Sequence, residues 1–302
     1  MKVHLGIKTD PIENRYSYDW LFRIMEEHRI PRLQLGSFFE IPYLDDGYFI
    51  ELREKAQKRG IRITSVFSSH RDLSGFFSGD RHLEKAARRI FERFIHVGSL
   101  MGADYVGSSA GSVPRDMIGE KEAGVLCFFS HMEDLTRLAL DKGLKALTIE
   151  VMSSSAEPPT FPEEIDRFME HFAGQHEKHK TSTVPVYLLG DISHGYADSA
   201  GTVRHGNYEL FEHSIPYMCE FHFKNTDSLF NATFGFSAEE CKRGVVDLAR
   251  LKGIIEKNAS RWPVRETTGY LELPGPKLGR DYTDCKLEGM LIDSIEALKR
   301  YF

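Results

Sequence analysis

Val184-Pro-Val-Tyr-Leu-Leu-Gly-Asp191-Ile-Ser-His194 reads as an apolar strand closed by a carboxylate, with a histidine three residues further on. The same pattern recurs in three other places: Ala146-Leu-Thr-Ile-Glu150, Cys219-Glu-Phe-His222 and Gly269-Tyr-Leu-Glu272. Each run ends on one side chain with an oxygen or imidazole donor. If these strands are parallel neighbours, Glu150, Asp191, His222 and Glu272 meet at one mouth. Carboxylates facing each other in a cleft repel unless a cation holds them. Donors of this kind suit Mn²⁺, Mg²⁺ or Co²⁺ better than a thiolate-loving metal.

Working outward from these runs, short β-branched segments alternate with longer amphipathic ones along the whole chain. Strands are expected at 3–7, 32–35, 61–67, 103–107, 146–150, 184–189, 218–223 and 269–273. Between them, apolar residues three and four apart predict helices over 20–27, 48–59, 82–101, 125–142, 162–172, 238–257 and 287–302, with a weaker one near 207–213. Ser237-Ala-Glu-Glu240 and Thr160-Phe-Pro-Glu163 have the form of capping boxes. Arg59-Gly60 and Lys142-Gly143 read as helix ends where glycine takes the left-handed cap. Eight alternations predict an α/β fold, a (β/α)₈ TIM barrel, as one domain over 1–302. No G-x-G-x-x-G follows a strand, which argues against a dinucleotide-binding open sheet. In a barrel, active sites gather at the C-terminal strand ends, where these four residues stand.

The chain has 302 residues, 41% of them hydrophobic, enough for a substantial core, and a net charge of −6, which disfavours a nucleic-acid partner. No apolar run is long enough to span a bilayer, and the start Met1-Lys2-Val3-His4-Leu5-Gly6 reads as a strand without a signal peptide. Cys127, Cys219, Cys241 and Cys285 are scattered, as expected of reduced thiols in a cytoplasmic protein, with Cys127 and Cys219 taken as core residues.

Further side chains are candidates for substrate. His194 lies one turn beyond Asp191, and His70 follows the third strand on the same predicted face. Lys224 and Asn225 directly follow His222, and Lys277 and Arg280 follow Glu272. Gly107-Ser-Ser-Ala-Gly111-Ser112 reads as an ordinary tight turn before it reads as a phosphate cradle. Phe38, Phe39, Phe67, Phe76 and Phe77 cluster near two strand ends, where they would wall a pocket or pack against a second subunit, giving a homo-oligomer.

Ile149-Glu150, Gly190-Asp191-x-x-His194, Phe221-His222-x-Lys224-Asn225 and Leu271-Glu272 resemble the xylose isomerase-like superfamily of sugar isomerases and epimerases, over nearly the whole chain. The resemblance implies one divalent cation held by Glu150, Asp191, His222 and Glu272, with Glu150 and Glu272 as acid and base. It implies proton abstraction beside a carbonyl and an enediolate, on a ketose or ketose phosphate. The chain departs from the ketose 3-epimerases in two ways. No arginine stands near Ser228, and Glu157 is one residue out of step with their second glutamate. Those departures favour a shorter or phosphorylated ketose, such as a tetrulose phosphate, gripped by Lys224, Lys277 and Arg280. A sugar or polyol dehydratase on the same scaffold is the alternative. An apurinic-endonuclease-like phosphoesterase is disfavoured, because its histidine after strand four is replaced by Gly-Ser-Ser.

Overall fold

A computed structural model describes all residues except 10, 11, 13, 14, 37–39, 69, 70 and 275–283, and the side chains of 71–73 and 284. The candidates His70, Lys277 and Arg280, with Phe38 and Phe39, lie outside the described residues. Eight parallel strands close a barrel: β1 (Lys2–Lys8), β2 (Arg32–Leu35), β3 (Arg62–Ser68), β4 (Tyr105–Ser108), β5 (Ala146–Glu150), β6 (Val186–Asp191), β9 (Met218–Phe223) and β10 (Glu266–Leu271). A small antiparallel hairpin, β7 (Tyr196–Ala197) and β8 (Val203–His205), follows β6 and was not expected from the sequence. The helices are α1 (Tyr18–Glu27), α2 (Glu40–Tyr43), α3 (Asp46–Lys58), α4 (Arg81–Met101), α5 (Lys121–Asp141), α6 (Pro162–Lys178), α7 (Asn207–Ser214), α8 (Ala238–Arg243), α9 (Leu248–Lys257) and α10 (Leu287–Lys299). Among the described residues no helix is long and apolar enough to cross a membrane.

The chain packs as two compact units. One comprises Met1–Ser37, Glu51–Ile63 and Gly190–Phe302. Its strands run β2–β1–β10–β9, with Lys8 opposite Gln34, Ile7 opposite Leu271 and Leu271 opposite Phe223. Paired residues in parallel strands point to the same side of the sheet, and the direction alternates along each strand. One step past the last pairs, Lys8, Gln34, Glu272 and Lys224 therefore share a level, two residues above His222 and Tyr270. Gly6 permits this layering, since a Cβ there would meet the Tyr270 ring at 2.5 Å.

The other unit comprises Phe38–Ile50 and Thr64–Leu189, with strand order β3–β4–β5–β6. Its core is aromatic. Phe129 meets Phe168 at 4.8 Å and Phe172 at 5.1 Å between ring centroids, locking α5 to α6. Phe76 and Phe77 are buried against Phe128 of α5, and Phe67 is buried in β3. These three rings are core residues here and expose no apolar patch, which corrects the reading of them as pocket wall or subunit contact.

Several local expectations meet a physical test. Gly60 and Gly143 take positive φ at helix ends, 71° and 79°. Ser237 and Glu240 form the expected reciprocal cap of α8. Thr160 does not cap α6. Phe161 holds the N-cap position without a side-chain bond, and the Thr160 hydroxyl donates to the Ser154 and Glu157 carbonyls. The single helix expected over 238–257 is broken in two. The Val245 N–H goes to the Thr226 carbonyl and the Val246 N–H to Asn225 Oδ1, and Asp247 then caps α9.

Candidate metal centre

Asp191 is the last residue of β6, with a side chain that is fully buried. Its Oδ1 accepts the Ser193 N–H at 2.7 Å, which fixes the carboxylate at the mouth of its own strand. Oδ2 faces three nitrogens: Lys224 Nζ at 3.1 Å, His194 Nε2 at 3.3 Å and His222 Nδ1 at 3.8 Å. Burial alone would raise the Asp191 pKa, but His194, Lys224 and His222 overcome it and hold the group well below the usual carboxylate range.

Glu272 leaves the end of β10, where its N–H is held by the Phe223 carbonyl at 3.0 Å. Its Oε2 lies 3.0 Å from His222 Nδ1 and 3.3 Å from Lys8 Nζ, and its Oε1 lies 3.3 Å from Lys224 Nζ. Burial works against the anion here too. Lys224, Lys8 and His222 outweigh it and bring Glu272 down to about 2, against repulsion from Asp191. Both carboxylates are thus held as anions, the form in which they can take a cation.

His222, one residue inside the end of β9, is fully buried. Gln34 Oε1 accepts a hydrogen bond from His222 Nε2 at 2.7 Å. With the proton on Nε2, the Nδ1 lone pair is directed at the side where Asp191 and Glu272 stand. A hydrogen bond to the far ring nitrogen is the usual way proteins set a metal-binding histidine.

Glu150 closes β5 and is buried. Within their unit, Asp191, His222 and Glu272 form a group able to hold a metal ion, one donor atom of each lying within 4.8 Å of the others. Two carboxylates and one imidazole are a donor set suited to a divalent cation. Asp191 and Glu272 face the ammonium groups of Lys8 and Lys224 and the imidazoles of His194 and His222, so their charge is met by nitrogen groups.

Of the expected substrate residues, His194 and Lys224 join this cluster, their side chains 3.4 Å apart. Asn225 does not fit that role. It is fully buried, its Oδ1 accepts the Thr226 and Val246 amides at 2.9 Å each, and its backbone pairs with Phe234. It shapes the loop after β9 instead. Sequence reasoning missed Lys8 and Gln34. Lys8 was legible in principle, because it ends the first apolar run as the other four site residues end theirs. Gln34 is a lone polar residue inside a four-residue strand, a weaker signal.

No protein-family model matches the chain, and no curated protein matches it. Solved structures do. A Rhodospirillum rubrum protein named for xylose isomerase is 20% identical, with 99% of each chain covered and a TM-score of 0.78. D-psicose 3-epimerase of Clostridium cellulolyticum H10, solved with D-tagatose, is 14% identical over 100% of this chain and 98% of its own, with a TM-score of 0.69. The IolI protein, solved with a bound zinc atom, is 15% identical over 100% of this chain and 99% of its own, also at 0.69. At these identities the likeness establishes the fold, a closed (β/α)₈ barrel, and nothing finer.

Proposed function

We propose that the protein is a divalent-metal-dependent isomerase or epimerase of a ketose or ketose phosphate. The observation that carries this reading is the donor group of Asp191, His222 and Glu272 at strand ends, with Glu272 held ionised among ammonium groups, and with Glu150 at the end of β5. Neighbours of the same fold that act on sugars, D-psicose 3-epimerase among them, support it. We assign Glu150, Asp191, His222 and Glu272 as metal ligands. The ion itself is Mn²⁺, Mg²⁺, Co²⁺ or, as in the IolI protein, Zn²⁺.

A bound cation would supply Lewis acidity toward substrate oxygens. The chain's own residues do the rest. One glutamate removes the proton beside the carbonyl, and the other returns one on the opposite face, which inverts the carbon. Lys8 and Lys224 keep Glu272 anionic, the form a base must have, although the same charges lower its affinity for the proton. His194 and Lys224 are placed to meet substrate hydroxyl or phosphate oxygens beside Asp191. Gln34 keeps His222 in one tautomer, so Gln34→Leu weakens metal binding by about 10- to 100-fold, measurable by titration against a chelating dye.

The functional test is incubation of the metal-loaded protein with ketoses and ketose phosphates in D₂O, followed by NMR. The expected result is deuterium at the carbon beside the carbonyl, with no loss of water. Formation of an absorbing enone would establish a dehydratase instead. Absence of exchange with every ketose would overturn the reading.

A further inference from the structure

Away from this centre, the unit containing α4 and α5 carries a second group of metal-ligating side chains: Glu84, Cys127 and His131. We propose that these three residues form a separate site for a zinc-type divalent ion, tying the first turn of α4 to α5. This inference does not depend on the sugar chemistry proposed above.

The geometry is set by two helices. Asp80 caps α4, accepting the His82 and Leu83 amides at 2.7 and 3.1 Å, and so fixes the turn that presents Glu84. Cys127 and His131 are four apart on α5, hence neighbours on one face. The three donor atoms lie within 4.8 Å of one another, and His131 Nε2 is 2.7 Å from Glu84 Oε1. The Phe76 ring packs on the His131 imidazole at 4.8 Å between centroids and limits its rotation. The Glu84 side chain is 38% exposed, so a small rotamer shift opens the space an ion needs.

Glu84 is paired with His131, itself a member of the group, while the neighbouring Arg88 is engaged elsewhere, its Nε on Glu92 at 2.8 Å and its Nη1 toward the His131 carbonyl and Asp134. The sequence reading made Cys127 a plain core residue, whereas the structure leaves it partly exposed beside two other ligands. Thiolate, imidazole and carboxylate are each donors that zinc accepts, and three of them leave a fourth tetrahedral position for water. The first centre has no sulfur, so the two sites differ in softness.

That difference gives the experiment. The reduced, chelator-treated full chain is titrated with Co²⁺ while the near-ultraviolet thiolate-to-cobalt charge-transfer band is followed. The band is expected to saturate once one cobalt per chain is thiolate-bound, within two equivalents in all because the first centre also takes Co²⁺, to bleach on adding Zn²⁺, and to saturate at one equivalent in His222→Ala. It should vanish in Cys127→Ser, which retains Cys241 and Cys285. Glu84→Gln, a change at a partly exposed side chain that leaves the helices intact, should weaken the cobalt affinity at least tenfold. No band in the wild-type protein, a band that survives Cys127→Ser, or full affinity in Glu84→Gln would each overturn the site.

Discussion

Under the proposed function, Glu272→Gln and Glu150→Gln are each expected to lower epimerisation by about 10³-fold, in the middle of the range that positioned acid–base groups contribute. The amide keeps the shape of the carboxylate but cannot accept the proton. At Glu272 the change also removes the anion facing Lys8, Lys224 and His222. If the two glutamates serve opposite faces of one carbon, the variants fail differently. Glu272→Gln still exchanges the proton of one epimer through Glu150, and Glu150→Gln that of the other through Glu272. Neither converts one epimer into the other. Deuterium exchange on each epimer separately, with metal content measured in the same samples, separates this outcome from simple loss of the ion. Wild-type epimerisation in both metal-loaded variants would remove the acid–base assignment.

The barrel was legible because its signals are local and repeated. Short apolar runs, glycine caps and helical spacing each report on a few residues, and eight repeats leave few alternatives. Glu150, Asp191 and Glu272 were legible for a related reason: a charge that ends an apolar run sits at a strand mouth. What escaped depends on register, which a sequence does not print. Gln34 becomes a partner of His222 only because β2 pairs with β1 and β1 with β10, setting Gln34, Lys8 and Glu272 at one level. The misread helix over 238–257 failed for the same reason. Its periodicity is real, but Asn225 of a distant loop captures the Val246 amide and breaks it. The cluster of Glu84, Cys127 and His131 was hidden because its members come from two helices that only packing brings together.

His222→Ala and Lys224→Met move metal affinity in opposite directions. The first removes a donor and should weaken binding by more than about 100-fold, beyond what loss of an outer partner costs. The second should tighten it at least about tenfold. Lys224 Nζ lies 3.1 Å from Asp191 Oδ2 and 3.3 Å from Glu272 Oε1, oxygens that a cation in the donor group would claim. An incoming divalent ion therefore meets a like charge on its own ligands. Unit charges about 4 Å apart interact by about 4 kcal/mol at an effective dielectric of about 20. The attraction that Lys224 keeps for the same carboxylates offsets much of this, and a remainder of about 1.4 kcal/mol is already a factor of ten. The stability consequence has the reverse sign. Without metal, Lys224→Met leaves Asp191 and Glu272 short of a partner in a buried site, a loss that approaches the about 3 kcal/mol of a broken buried pair. Saturating metal restores stability, by about 2.7 kcal/mol when the free ion stands at about a hundred times its dissociation constant. Dye-competition titration and urea unfolding with and without metal measure both effects. Weaker metal binding in Lys224→Met would mean that the ammonium supports the ion's site rather than competing for it, and the assignment of Asp191 and Glu272 as ligands sharing their oxygens with Lys224 would fall.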